Sequence, residues 1–203
     1  MFTIGLIASG KGSNIRAILE NIRQGELDVK ASVILSDNPH SKALKIAEEE
    51  GIKHYCIPEE KYKTTLSVKT EREYVRILKE YNVDLVCFAG FMRIIKKEML
   101  NNFFGRIVNI HPSLLPAFPG VDAWKQALNY GVKFAGCTTH FVETDIDAGP
   151  IILQAVVPVL EDDTYDTLHK RIQEKEHIIY PLTIKLIAEG KVNLSGRRVS
   201  ITC

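Results

Sequence analysis

Short apolar runs alternate with amphipathic segments along the first half of the chain. Strands are predicted at residues 2–8, 31–35, 53–57, 83–89 and 107–110. Between them, apolar residues recur at helical spacing at 15–22, 43–50 and 74–81, and Gly25 and Gly51 follow the first two of these helices. This βαβ rhythm predicts an α/β fold with a doubly wound, mostly parallel sheet.

The rhythm changes in the second half of the chain. A short helix is predicted at 123–130, followed by strands at 136–142 and 151–159 that pair antiparallel with each other. A helical stretch covers 164–189, and Pro181 is expected to kink or divide it. We therefore expect one domain, residues 1–203, with a βαβ half (1–110), a second half (111–190) and a C-terminal tail or hairpin (191–203).

Composition narrows the class of protein. The chain has 203 residues, is 45% hydrophobic and carries a formal net charge of +1, which suits one domain with a large core and no nucleic-acid partner. No apolar run approaches the roughly 18 residues of a membrane span, and the apolar N-terminus lacks the basic region of a signal peptide. Four cysteines without Cys-x-x-Cys spacing suit a reducing compartment. These features predict a cytoplasmic protein without a membrane partner.

The most informative segment is 109–116, Asn-Ile-His-Pro-Ser-Leu-Leu-Pro, at the end of the fifth predicted strand. In an extended chain, Asn109 and His111 point to the same side because they are two residues apart. The amide can donate to a developing oxyanion, and the imidazole can move a proton near neutral pH. Pro112 ends the strand. This segment therefore predicts an acid–base site.

The loop 9–14, Ser-Gly-Lys-Gly-Ser-Asn, joins the first strand to the first helix. Glycines before a helix start favour an anion site, most often for phosphate. Ile15 replaces the third glycine of the dinucleotide fingerprint, and Lys11 precedes Gly12, so that the Walker A pattern fails too. The loop predicts either a cradle for a single phosphate or a plain turn capped by Ser13 or Asn14.

The acidic loop 143–150 carries three carboxylates, at Glu143, Asp145 and Asp147. Their spacing does not fit an EF-hand. The loop is interpreted either as a solvated turn or as the source of a carboxylate that orients His111. Asp147 is favoured among the three because the following Ala-Gly-Pro can fix its backbone in a tight turn.

The remaining histidines lack the spacing of a metal site. None shows a His-x-x-x-His pattern, and no metal is expected. His140 lies in a predicted strand, where we expect a hydrogen-bonded core residue. The others are expected in surface or packing roles: His40, His54, His169 and His177.

Four blocks occur in one order: 9–14, Ala-Gly-Phe-Met-Arg-Ile at 89–94, the 109–116 segment, and Asp-Ala-Gly-Pro-Ile-Ile at 147–152. With them, the chain closely resembles the phosphoribosylglycinamide formyltransferases of the formyltransferase superfamily, from residue 2 to about residue 190. The resemblance implies transfer of a formyl group from 10-formyltetrahydrofolate, a co-substrate, to the amine of N1-(5-phospho-D-ribosyl)glycinamide. This one-carbon step belongs to de novo purine (IMP) biosynthesis and would proceed by direct attack in a ternary complex, without a metal.

The resemblance also implies roles for individual residues. The phosphate of the amine substrate would be held by Gly12, Ser13 and Asn14, with Gln173 in reach of it and Glu176 on the ribose. The folate pocket would be bordered, largely through backbone groups, by Met92, Arg93, Ile94 and Ile95. At the formyl group, Asn109 would bind the oxygen, His111 would be the acid–base group, and Asp147 would raise its pKa and help order a water.

Some positions depart from the family pattern or are open. Lys11 stands where many members have Asn, and Lys69 is the nearest candidate for the basic residue that meets the folate glutamate tail. Residues 116–120 are interpreted as a lid hinge or as a rigid loop. A monomer or homodimer is expected.

Three other functions share features of this sequence. The first is 10-formyltetrahydrofolate hydrolase, in which water replaces the amine and an N-terminal regulatory domain is usual. The second is methionyl-tRNA formyltransferase, which needs a C-terminal RNA-binding domain. The third is a folate- or nucleotide-binding protein without turnover.

Overall fold

Strands and helices alternate through the first part of the chain, as the sequence pattern predicts. The elements are β1 (Thr3–Ile7), α1 (Ser13–Arg23), β2 (Lys30–Ser36), α2 (Lys42–Glu49), β3 (Lys53–Cys56), α3 (Val68–Glu80), β4 (Leu85–Phe88), α4 (Lys97–Asn102) and β5 (Ile107–His111). The structure, a computed structural model, describes residues 1–202. It contains two compact units, Met1–Asn109 and a second that begins at Ile110.

The sheet of the first unit is parallel throughout. Its strands lie in the order β3-β2-β1-β4-β5, and all four pairings are parallel. The central strands β1 and β4 are almost wholly apolar and buried, because helices cover both faces of a parallel sheet. The carboxyl ends of these strands lead into the loops that the sequence singled out, which is where parallel sheets bind ligands.

The second unit is built differently. Its elements are α5 (Ala123–Tyr130), β6 (Phe134–Phe141), β7 (Ile151–Pro158), α6 (Tyr165–Ala188), β8 (Val192–Ser195) and β9 (Arg198–Ile201). Strands β6 and β7 pair antiparallel, and β8 and β9 form the predicted terminal hairpin. Gly136 lets β6 approach its partner, since a Cβ there would lie 2.0 Å from the Ala155 carbonyl oxygen.

The fold class is thus α/β with mostly parallel strands and antiparallel strands toward the C-terminus, as predicted. Two details differ. Helix α3 begins at Val68 instead of residue 74, because the Ser67 side chain caps it where the sequence has no apolar periodicity. Pro181 does not divide α6, which runs unbroken through it with the proline buried. Within residues 1–202, no helix is long and apolar enough to cross a membrane.

Candidate active site

The glycine loop, residues 9–14, presents the start of α1 without a side-chain cap. Gly12 is the N-cap residue, in the left-handed conformation at φ 72°, and it has no side chain that could cap the free N–H groups. Ser13 and Asn14 lie inside the helix, so neither is the N-cap residue that the alternative of a plain turn assumed. The positive φ of Gly12 favours glycine, and a Cβ at this position would also lie 2.7 Å from Ile46 Cδ1, which would have to shift.

The carbonyl groups of the glycine loop are held by donors from the segment before α2. Asn38 Nδ2 donates to the Ser9 carbonyl oxygen at 2.9 Å. Ser41 Oγ and the Lys42 N–H both donate to the Gly10 carbonyl oxygen at 3.1 Å. These hydrogen bonds partly offset the negative charge of the two carbonyl oxygens beside the helix start. The loop therefore has the features of an anion site, an uncapped helix N-terminus with its neighbouring acceptors occupied.

The predicted folate segment, residues 92–95, follows β4 and runs beside residues 64–66. The Ile94 N–H donates to the Thr64 carbonyl oxygen at 2.8 Å, and the Leu66 N–H donates to the Ile94 carbonyl oxygen at 3.1 Å. The Met92 N–H donates to Ser9 Oγ at 2.9 Å. The backbone of Met92 and Ile94 is thus largely committed to the protein. Backbone N–H groups that hydrogen-bond the folate ring would therefore have to be those of Arg93 and Ile95.

Lys69 lies in the first turn of α3. It borders a cavity of about 730 Å³ in the first unit, and Lys96, which follows the folate segment, borders the same cavity. This placement is compatible with contact to the anionic end of a ligand, and the role of Lys69 stays a prediction.

Asn109 and His111 both lie on β5, two residues apart, as the sequence predicts. Asn109 is half-buried and His111 is only 4% exposed. A buried imidazole of this kind needs specific partners for its ring nitrogens.

His111, Asp147 and His140 form a cluster in the second unit, here called the histidine cluster. Asp147 Oδ2 lies 3.3 Å from His111 Nδ1, and Asp147 Oδ1 lies 3.7 Å from His140 Nε2. The Asp147 side chain is 11% exposed, whereas Glu143 and Asp145 are exposed. Of the three carboxylates that the sequence left open, the structure brings Asp147 to His111.

A tight turn fixes Asp147. Its φ is 50°, in the left-handed region, and the Phe141 N–H donates to the Pro150 carbonyl oxygen at 2.9 Å to close the loop. A Cβ at Gly149 would lie 1.8 Å from the Phe141 carbonyl oxygen, so only glycine allows this approach. The loop 143–150 therefore places one carboxylate and leaves the others in solvent.

Each ring nitrogen of His111 has an oxygen atom beside it. Its Nδ1 faces the Asp147 carboxylate, and its Nε2 lies 2.9 Å from the Phe118 carbonyl oxygen. A carbonyl oxygen and an ionised carboxylate only accept hydrogen bonds, so an imidazole that carries two protons could donate to both. In this arrangement the geometry suits the imidazolium form, the form that can act as an acid.

His140 was expected as a hydrogen-bonded core residue. It is 2% exposed and its Nδ1 lies 2.8 Å from the Phe141 carbonyl oxygen, as expected for such a residue. Burial lowers the pKa of His140, against the opposing effects of that carbonyl and of Asp147. Its approach to Asp147 was not foreseen. The available signal was its position at the end of the strand that leads into the acidic loop.

The loop after β5 contacts the rest of the second unit in two ways. Thr138 Oγ1 donates to the Ser113 carbonyl oxygen at 2.7 Å and accepts from the Leu115 N–H at 3.1 Å, which anchors the first part to β6. The second part contacts the histidine cluster through Phe118 and through the Gly120 N–H, which donates to Asp147 Oδ2 at 2.8 Å. The predicted hinge, residues 116–120, thus begins just beyond the anchored residues.

Gln173 and Glu176 lie on α6. Gln173 is half-buried, and Glu176 is 4% exposed. Burial, and next the nearby charge of Glu176, raise the pKa of the Cys137 thiol to about 12, which places Glu176 near β6. Among residues 1–202, no group of three or more His, Cys, Asp or Glu side chains could hold a metal ion. The substrate contacts of these two residues and a metal-free reaction stay predictions.

Known proteins resemble this chain over almost its whole length. Residues 3–184 match the family model described as formyl transferase. A phosphoribosylglycinamide formyltransferase of Bacillus subtilis is 39% identical over 91% of this chain and 94% of its own length. The crystal structure of glycinamide ribonucleotide transformylase 1 from Symbiobacterium toebii has a TM-score of 0.95 and 46% identity, covering 100% of this chain and 95% of that one.

A longer relative matches over one part of its length. The human trifunctional purine biosynthetic protein adenosine-3 is 40% identical over 94% of this chain, which spans 19% of that protein. The family match extends across both units described above. The chain therefore belongs to the formyl transferase family.

Proposed function

We propose that this chain transfers a formyl group from 10-formyltetrahydrofolate to the amine of N1-(5-phospho-D-ribosyl)glycinamide, a step of de novo purine biosynthesis. The observation that carries the proposal is the buried His111–Asp147 pair, with acceptors on both ring nitrogens of the histidine. Family membership and the names of the relatives supply the substrates. The expected cytoplasmic location and the choice between monomer and homodimer stay predictions.

The chemistry needs charge stabilisation and a proton. Attack of the amine on the formyl carbon forms a C–N bond and places negative charge on the formyl oxygen. Asn109 donates to that oxygen, an interaction whose loss typically costs ~10²–10³ in turnover. The bond to N10 then breaks, N10 takes up a proton from His111 directly or through a water, and the attacking amine gives up a proton that returns to His111. Asp147 stabilises the imidazolium form of His111 before and after this exchange.

The proposed binding of the two substrates follows the residue roles that the family resemblance implies. Gly12, Ser13 and Asn14 hold the phosphate, as the uncapped start of α1 suggests. Backbone groups of residues 92–95 read the folate ring. Gln173 and Glu176 contact the phosphate and the ribose. Holding the amine beside the formyl carbon supplies much of the acceleration.

Of the two interpretations of residues 116–120, the lid is the one that we propose here. In the structure the Phe118 carbonyl oxygen lies 2.9 Å from His111 Nε2, so this nitrogen is engaged by the loop. Opening releases that nitrogen, and closure over bound substrates excludes water, which would hydrolyse the donor.

One experiment tests the function. The protein is mixed with 10-formyltetrahydrofolate, with and without the glycinamide substrate, and folate absorbance is followed. Loss of the formyl group only when the amine is present supports transfer. Loss at the same rate without the amine would identify a hydrolase instead, and binding without loss in either mixture would identify a binding protein.

A further inference from the structure

A buried ion pair joins two loops of the first unit. Arg93 Nε lies 2.6 Å from Asp37 Oδ2, and the side chains are 17% and 5% exposed. Arg93 Nη1 donates to the Tyr62 carbonyl oxygen at 2.8 Å and also to that of Lys63. Three protein acceptors therefore hold the guanidinium, which leaves it poorly suited to follow a ligand.

These contacts connect three separate segments of chain. Asp37 directly follows β2, Tyr62 belongs to the connection before α3, and Arg93 belongs to the segment after β4. Thr65 and Ile94 also form an isolated parallel bridge between the last two segments. The side chain of Arg93 and the backbone of Ile94 thus fasten residues 92–96 to the same neighbour, and Asp37 fixes the guanidinium from the other side.

The backbone of residues 92–96 is bonded to the protein at every second residue. The N–H groups of Met92 and Ile94 donate to Ser9 and Thr64, and the Lys96 N–H donates to the Glu71 carboxylate. In the part of the chain that the structure describes, the amides of Arg93 and Ile95 donate no such bond to the protein, so they can donate to a ligand.

The ion pair is not optimal for stability alone. Asp37 Oδ1 is buried and has no hydrogen-bond partner among residues 1–202. A buried carboxylate with one unsatisfied oxygen carries a desolvation cost that its single ion pair offsets only in part. A well-packed apolar contact would stabilise this region equally well. What the charged pair adds is a fixed direction for Arg93, since its planar guanidinium is held at three points.

We propose that Asp37 is a positioning residue for the formyl-folate donor. By fixing Arg93, it holds the backbone of Arg93 and Ile95 in the conformation that hydrogen-bonds the ring edge of the donor. Arg93 contacts the donor through its main-chain N–H, and its side chain holds the segment in place. The proposal rests on the function proposed above, because it assigns the donor to this edge.

The test is a comparison of Asp37→Asn with wild type. The amide keeps the shape and one acceptor but loses the charge. The donor KM should rise roughly tenfold while the KM for the glycinamide substrate stays unchanged, because only the donor edge is disturbed. Glu49→Gln is the matched control, since it removes the charge of an exposed pair with Arg16 at 3.0 Å and should change neither KM.

A structural role alone would give another result. Fewer folded molecules would lower the apparent kcat and the melting temperature but leave both KM values as they are. An unchanged donor KM in folded Asp37→Asn overturns the proposal. If that variant does not fold, Arg93→Lys replaces it, because lysine keeps the charge opposite Asp37 but cannot also bond both carbonyls. The same rise in donor KM is expected, and its absence overturns the proposal.

Binding separates this proposal from the proposed function. Equilibrium binding of tetrahydrofolate, followed by quenching of intrinsic fluorescence, requires no turnover. If wild type binds tetrahydrofolate but transfers no formyl group, the proposed function fails. Asp37 is still tested there, because weaker binding by Asp37→Asn than by Glu49→Gln supports the positioning role and equal binding overturns it.

Discussion

The glycine loop and the histidine cluster differ in the groups that they present. The loop presents main-chain groups, and the cluster presents side chains. The loop offers main-chain N–H groups at the start of a helix, and its backbone conformation depends on glycine, as the positive φ of Gly12 shows. The cluster offers side chains from three separate segments, joined by His111, Asp147 and His140. The first kind of site fails when the backbone cannot adopt its conformation. The second fails when one functional group is exchanged, even if the fold is intact.

The largest effect should come from Asp147→Asn. The amide can still accept from the Gly120 N–H but no longer stabilises imidazolium, so kcat should fall roughly 10⁴-fold, as for the same change beside another catalytic histidine. Both KM values should stay nearly unchanged, which steady-state kinetics checks. Asp145→Asn, on an exposed residue of the same loop, is the control. An unaltered kcat for Asp147→Asn would remove this carboxylate from the mechanism.

A substitution in the glycine loop should change substrate binding and not turnover. Ser13→Asp puts a negative charge in the first turn of α1, where the phosphate is proposed to bind, and should raise the KM for the glycinamide substrate roughly 10–100-fold by repulsion. The donor KM should not change. Gln24→Glu adds the same charge at the far end of α1 and serves as the control. An equal rise in the KM of both substrates for Ser13→Asp would indicate misfolding. The two sites would then not differ in the way proposed here.

Anchoring of the loop after β5 can be tested by stability. Thr138→Val leaves the Ser113 carbonyl and the Leu115 N–H without their buried partner. The free energy of unfolding should fall by about 2 kcal/mol, measured by urea denaturation. Thr144→Val, on an exposed residue, should stay within about 0.5 kcal/mol of wild type. If both variants match wild type, these hydrogen bonds do not hold the loop beside the histidine cluster.

The smallest effect concerns pH. Burial lowers the pKa of His140 from 6.5 in the folded chain, so the unfolded chain binds this proton more readily. The stability is therefore complete above pH 6.5 and declines as the pH falls toward the lowered value. His140→Gln should lose unfolding free energy less steeply than wild type between about pH 7 and about pH 5. The pKa of His177 is lowered by burial too, so part of the slope remains.

An exposed histidine provides the control for the pH series. His40→Gln changes a side chain near the glycine loop, and its unfolding free energy should follow the wild-type slope. A slope for His140→Gln as steep as that of His40→Gln would show that the histidine cluster is not the proton-sensitive part of the molecule.

Local patterns predicted most of the fold. The apolar runs and helical spacings placed the strands of the parallel sheet, the β6–β7 pair and the terminal hairpin within a few residues. Helix α4 was not predicted, because its six residues are too short to show a period. Helix α3 was started late because its first turn depends on the Ser67 cap and not on an apolar stripe.

The sequence by itself determined which groups carry the chemistry: the glycines before α1, and the amide and imidazole that end β5. Both are contiguous motifs, and local backbone geometry links their residues. Only the tertiary structure decided which of three acidic residues meets His111, that His140 joins them, and that Asp37 holds Arg93. Contacts between residues far apart in the chain depend on how loops fold back against the sheet. The spacing of residues within one segment does not predict such contacts.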